Sequence, residues 1–298
     1  MKRNCPNNIC AASEFIIRDG TFRRKEDAKI IQRFRCKRCG TRFSSATFSD
    51  AFGQKRRRVN SILLKLLSSN VSMRRAAKIL GVDKKTVERR LPFLAERCRR
   101  LNRKILNDHR ARIYNIQIDD LITKENSKLK PLSVSLAVDS DRRLILGTEV
   151  SQIPAFGVLA HLAVKKYGKR KDEHFEGLTR LFRSLSPIVS PEVIVKSDEH
   201  NMYPGFISAY LPRAKHLSFK SERGCVAGQG ELKKLKFDPL FCVNHTCAYL
   251  RGNVNRLIRK TWCTTKDPAR LKDHLDVVVY HYNKSLLRKA TPLLSGSS

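Results

Sequence analysis

Two acidic points and four paired cysteines are the residues of this 298-residue chain whose types and spacing could do chemistry. Asp119 lies in IYNIQIDDL, a run that alternates apolar and polar residues as a half-buried strand does. Asp198 ends a second strand-like run, EVIVKSD. Carboxylates at the ends of separate strands can converge on hard cations, which prefer oxygen ligands. Two such ions about 3.5–4 Å apart can flank one phosphorus and assist its displacement chemistry. Each Asp by itself is weak evidence, because Asp is common wherever a strand turns.

The cysteines carry a sharper pattern. Cys5 and Cys10 sit in CPNNIC, and Cys36 and Cys39 in RCKRCGTRF. Two close pairs separated by a gap match a four-thiolate zinc ribbon, with Gly40 permitting the tight turn beneath the second pair. With all four positions filled by protein, the Zn²⁺ would be structural, a staple for a segment too small for its own core. The alternative is four unrelated buried thiols, which the paired spacing disfavours. Cys242, Cys247 and Cys263 share no such spacing and read as core or loop thiols.

These residues must be positioned by elements. EFIIRDG and KIIQRFRC read as strands around a turn at Asp19-Gly20, making residues 1–50 the ribbon. Lys55, Arg56, Arg57 and Arg58 are either a solvated linker or a grip on phosphate. Residues 55–112 then read as a helix-turn-helix with a basic connector. Ile62, Leu63, Leu66 and Leu67 form a first apolar face, and Ser72 can cap the helix MRRAAKIL. Ala77, Gly81 and Val87 have the spacing that two touching helices and a tight turn need. A recognition helix from Lys84 to about Leu91 would present Lys84, Lys85, Thr86, Arg89 and Arg90 to DNA.

Beyond Arg112 the pattern changes to LSVSLAVDS and RLILGTEV as strands, EHFEGLTRLFRSL as a helix, and RAKHLSF as a further strand. The order β-β-β-α-β-α with acids at strand ends is how an RNase H-like core assembles a metal site, here residues 113–290, with 291–298 a tail. The fold class expected is α+β multidomain. Projected as one helix, Phe241–Cys263 gives a buried stripe of Val243, Cys247, Leu250, Val254, Leu257 and Thr261. Asn244, Arg251 and Asn255 line an adjacent face, which Arg256, Arg259 and Lys260 extend into solvent to track phosphates. Trp262 reads as a core anchor.

Charge fits this reading. The net charge is +34, and the first 112 residues hold 31 Lys and Arg against 9 Asp and Glu. Such an excess points to a polyanionic partner. An anionic membrane surface is the second choice, since no apolar run reaches the length of a span and MKRNCPNN does not read as a signal peptide. The expectation is a cytoplasmic protein. RNA binding has less support, because no RNA-module aromatic motif is present.

The order CPxxxxC, RCxxCGxxF, helix-turn-helix, QIDDL, SDEHNMYP (Ser197–Pro204) and NRLIRKTWCTTK (Asn255–Lys266) resembles that of bacterial insertion-sequence transposases of the insertion-sequence-one type and relatives, over nearly the whole chain. The resemblance implies a DDE-type recombinase that binds terminal inverted repeats and target double-stranded DNA near the nucleoid, as a homo-oligomer, and cuts and joins strands with Mg²⁺ or Mn²⁺. It makes Asp119 and Asp198 the first and second catalytic acids and Asp120 a non-catalytic neighbour. The third position, commonly Glu, falls on Asn244, whose amide oxygen is still a Mg²⁺ ligand. Glu231 ranks behind it and His245 third. A regulator of the same ancestry that binds DNA without catalysis is the alternative.

Overall fold

The computed structural model describes residues 4–109, 112–220, 238–258 and 263–290. It is mixed α+β, with two sheets among the described residues. The chain forms two compact units, Met1–Ser61 and Ile62–Ser298.

The first unit is built on an antiparallel sheet in the order β1 (Ile16–Arg23), β2 (Ile30–Cys36), β3 (Arg42–Ser44). The hairpin turn expected at Asp19-Gly20 is not there. β1 runs through that pair with a register shift between Arg18 and Thr21, and Gly20 takes φ 71°. A glycine at positive φ makes a bulge as readily as a turn. The chain reverses later, where Arg24 N–H donates to Lys29 O at 2.9 Å. Phe34 and Phe43, 5.5 Å apart by ring centroid, pack the small core.

Three helices follow: α1 (Val59–Leu67), α2 (Met73–Leu80) and α3 (Lys84–Asp108). The division between the two units falls inside α1. Ser72 caps α2 by accepting from Arg75 N–H, Gly81 takes the left-handed conformation that ends it, and Asp83 caps α3 by accepting from Lys85 N–H at 2.7 Å. Ala77 and Val87 are buried, as two touching helices require. Ile62, expected on the apolar face, is exposed while Leu63 and Leu67 are fully buried.

α3 does not stop near Leu91. It continues through Pro92 for 25 residues, so the expected recognition helix and basic connector are one element. Val87, Leu91, Leu94, Ala95 and Cys98 recur on its buried side, and this stripe carries the helix past the proline. Its later turns pack on α8 (Pro268–Ala290). Arg99 pairs there with Asp276 at 3.3 Å, and Asn283 donates to Asn102 at 2.9 Å. His274, also on α8, lies 2.8 Å from Leu67 O at the end of α1.

The larger sheet has five strands: β4 (Asn115–Lys124), β5 (Pro131–Asp139), β6 (Ile145–Gln152), β7 (Ile194–Asp198) and β8 (Lys215–Phe219). They lie in the order β6-β5-β4-β7-β8. β4, β5 and β6 are antiparallel neighbours, while β7 runs parallel to both β4 and β8. α5 (His174–Leu185) and α6 (Tyr203–Tyr210) cover one face, over Ile116, Ile118 and Val195. α7 (Phe241–Asn253) and α8 cover the other, over Leu121, Leu132, Val134 and Leu136. A further helix, α4 (Leu159–Tyr167), which sequence reading did not anticipate, stands between β6 and α5.

The long helix expected over Phe241–Cys263 ends at Asn253. Val254 is extended, with φ −99° and ψ 103°, and a 3₁₀ turn spans Asn255–Leu257. The apolar positions read from the sequence do enter the core as far as Leu257, with Val254 delivered by the extended link and Leu257 by that turn. Glu231, Arg259, Lys260, Thr261, Trp262 and the tail 291–298 lie outside the described residues. None of the described helices is long and apolar enough to cross a membrane.

Candidate metal centre

Residues 119 and 198 meet because β4 and β7 are parallel neighbours in a register that pairs Ile118 with Ser197. Each Asp is one residue further on. Asp198 ends β7 as expected, whereas Asp119 lies midway along β4, which runs on beside β5 to Lys124, so its expected strand-end position is corrected. Asp198 also serves its turn, accepting from His200 N–H at 3.2 Å. Burial pushes the Asp119 carboxyl up to about 6, the charges of Asp198 and Asp120 add to this, and Asp120 N–H and Arg251 oppose it. Asp119 is therefore an anion held beside other anions with too little compensation, which is the electrostatic condition a divalent cation relieves.

Asp120 faces the other side of the same strand and is satisfied without a cation. Its Oδ1 accepts from Ser133 Oγ at 2.7 Å and Ser135 Oγ at 2.5 Å. Its Oδ2 accepts from Tyr203 Oη at 2.9 Å and lies 3.0 Å from His174 Nε2. Burial alone would raise its carboxyl, but His174 and the two serines outweigh that and hold it at about 2. The partners follow from the fold. Ser133 and Ser135 alternate with buried Leu132, Val134 and Leu136 along β5, so small hydroxyls face α5 while the bulky side chains face α7. α5 comes close at Gly177, where a Cβ would stand 1.8 Å from Ser151 Oγ, and this approach brings His174 one turn earlier over Asp120.

Asp120, His174 and His200 have donor atoms within 4.8 Å of one another and could hold a metal ion. Both oxygens of Asp120 already have two side-chain partners each, so an ion there would have to displace them. Asp119 and Asp198 each accept one backbone N–H, from Asp120 at 2.7 Å and His200 at 3.2 Å. Sequence reading passed over His174, Tyr203, Ser133 and Ser135. Two signals existed: the tyrosine of SDEHNMYP, and a Ser-x-Ser alternation on the strand that follows IDD.

The remaining expected residues fall in several places. Asn244 is exposed on α7, and its Nδ2 donates to Asp238 at 2.8 Å. His245 is exposed with its ring against Phe241. Among the described residues, no third carboxylate, imidazole or thiolate joins Asp119 and Asp198 within the reach that defines the other clusters. Arg251 is half-buried and close enough to act on the Asp119 carboxyl. Arg256 does not extend into solvent: it donates to Thr265 Oγ1 at 3.1 Å and touches Met73 Sδ at 3.7 Å, because it follows the helix end and turns inward. Lys84, Lys85 and Arg89 are exposed on the first turns of α3, with Thr86 and Arg90 half-buried.

Neither a protein-family model nor a curated protein matches this chain. Its chemistry rests on geometry, and the first unit supplies a second piece of it. Cys5, Cys10, Cys36 and Cys39 place their sulfurs within 4.8 Å of one another, with Cys5 and Cys39 at 3.5 Å and Cys10 and Cys36 at 3.8 Å. A tetrahedral ion with Zn–S bonds of about 2.3 Å needs sulfur–sulfur edges of roughly 3.8 Å. The four thiols fit a zinc ion. Thr41, bonded to Cys39 through side chain and backbone, lowers that thiol to about 6, which favours the thiolate a metal takes.

Proposed function

We propose that the protein is a DNA transposase of the insertion-sequence-one type or a relative, which binds the ends of its element and cuts and joins strands with a divalent metal. The carrying observation is that Asp119 on β4 and Asp198 at the end of the parallel β7 each follow a paired position, with the Asp119 carboxyl raised by burial and by neighbouring acids in a chain of +34. Asp119 and Asp198 would hold Mg²⁺ or Mn²⁺, which supplies a polarised phosphate and an activated water. The sheet order, with three antiparallel strands and then two parallel ones beside β4, supports an RNase H-like core. The exposed Lys84, Lys85 and Arg89 at the capped start of α3 support a helix-turn-helix that reads DNA, and the four-sulfur cluster supports a structural zinc ribbon. Asp120 works as a positioning residue, tying β4 to α5 and α6 so that its neighbour Asp119 is held in place.

The test is cleavage of supercoiled plasmid carrying the ends of the flanking element, with Mg²⁺ or Mn²⁺. Asp119→Asn and Asp198→Asn should each abolish cleavage and leave DNA binding intact. Full cleavage by either variant would remove the metal assignment. One observation favours the second reading, a DNA-binding regulator without catalysis: Asn244 is neutral and engaged with Asp238. Wild-type protein that binds the ends tightly and never cuts would decide for the regulator.

A further inference from the structure

A cavity of about 500 Å³ opens further along β4 from Asp119. That is within the range of ligand pockets, roughly 300–1,000 Å³. Ile122, Thr123 and Lys124 from the end of β4 form one wall, and Phe156 and Leu159 another. Arg251 belongs to both sites, since it lines the cavity and its charge acts on Asp119. The β4 wall begins three residues past Asp119, about 10 Å along a strand that rises about 3.3 Å per residue.

The lining has a specific chemistry. Its charged members are Lys124, Lys128, Arg251 and Arg256, and no acid is among them. The rest is largely apolar and includes Phe156, a ring left 64% exposed at the surface. An exposed aromatic face beside cations takes a flat ring that carries an anion, the combination used to stack bases while gripping their backbone. A base still paired in a duplex offers only its edge, so the occupant must be unpaired.

We propose that this cavity holds an unpaired nucleotide of the DNA strand, next to the phosphate placed at Asp119 and Asp198, with Phe156 stacking on its base and Lys124 and Lys128 holding its backbone. This rests on the DNA-cleaving reading of the neighbouring carboxylates. It adds that the substrate is a strand with at least one base out of the stack.

The experiment uses the full chain at fixed salt and four probes: a blunt duplex, the same duplex with a short single-stranded tail, the tail made abasic, and a free pentanucleotide. The tail and the pentanucleotide carry 2-aminopurine. The base-bearing tail should tighten binding by roughly tenfold over the blunt duplex, and the abasic tail should not. The 2-aminopurine should be quenched in both strands that carry it. Phe156→Ala should erase the tail's advantage and the quenching while leaving the blunt duplex bound as before. Phe156 is exposed, so this variant should fold, and Lys128→Gln gives a second route to a weakened tail. An abasic tail that binds as well as the intact one, or quenching that survives Phe156→Ala, would overturn the proposal. Protein that ignores the blunt duplex but quenches the pentanucleotide through Phe156 keeps the pocket and fails the DNA-cleavage reading. Protein that binds the duplex and leaves the tail unquenched fails the pocket alone.

Discussion

Asp119 and Asp120 are neighbours in sequence with opposite electrostatics, because successive residues of a strand face opposite sides of the sheet. The folded Asp119 carboxyl, at about 6, lies above the ordinary value of 3.8. A raised carboxyl contributes its stability below the unfolded value and loses it as pH rises through the folded one. Metal-free protein should therefore lose stability between about pH 4 and 6 through this group. Asp119→Asn should recover roughly 1–2 kcal/mol at pH 7.5, discounted for partial exposure. Thermal unfolding across pH checks this, and Mg²⁺ should stabilise the wild type and leave Asp119→Asn unmoved. A variant less stable than wild type at pH 7.5 would contradict it. Asp120 has the reverse sign. Its carboxyl, held at about 2, contributes stability above 3.8 that is lost as pH falls toward 2. Asp120→Asn should cost about 2–3 kcal/mol at neutral pH, because several donors are left without a charged acceptor.

At the scale of elements, the strands were legible because apolar–polar alternation is a local signal, though Asp119 marks the middle of β4 and only Asp198 ends its strand. The turn between α2 and α3 was legible through Ser72, Ala77, Gly81 and Val87, each fixed by a neighbour a few residues away. Other features had no local signal. α4 buries only Ala163, so its sequence has no one-sided apolar stripe to read. The end of α7 was hidden because Val254 and Leu257 keep helical spacing while an extended residue and then a 3₁₀ turn deliver them. The partners of Asp120 arrive from 54 and 83 residues away, at His174 and Tyr203. The close approach of α5 at Gly177 carries a test of that arrangement. Gly177→Ala places a Cβ 1.8 Å from Ser151 Oγ and 3.2 Å from Ser151 Cβ, so rotating the hydroxyl removes the overlap and leaves a tight contact that must open by a few tenths of an ångström. A small retreat of α5 from β6 should cost about 1–3 kcal/mol and loosen the His174 contact with Asp120. Denaturant unfolding should show the destabilisation. Ser151→Ala, which removes the nearer atom, should recover part of it in the double variant.

The whole molecule is a polycation, and the two clusters among the described residues that could hold a metal ion sit in different units: the four thiols in the first, Asp120, His174 and His200 in the second. A net charge of +34 makes any binding to DNA dominated by counterion release, so affinity has to be read as a function of salt. With about 6–10 phosphates neutralised, affinity should fall by roughly 10³–10⁵ between about 50 and 200 mM salt. The slope separates two roles. Arg57 and Arg58 lie in the basic run before α1. Replacing either by Gln should flatten the slope by about 0.9 for each phosphate no longer neutralised, and should weaken all DNA alike. Arg89 is exposed two turns into the capped α3, where a recognition helix reads base edges. If it bonds a guanine edge, Arg89→Ala should cost about 1–3 kcal/mol on the element's ends and relax preference at one position. On unrelated DNA it should change little beyond a single charge. Titrating both kinds of variant against element ends and random duplex, each at several salt concentrations, resolves the two effects. Equal weakening on both DNAs for Arg89→Ala would make α3 another grip on phosphate and leave sequence recognition to some other surface.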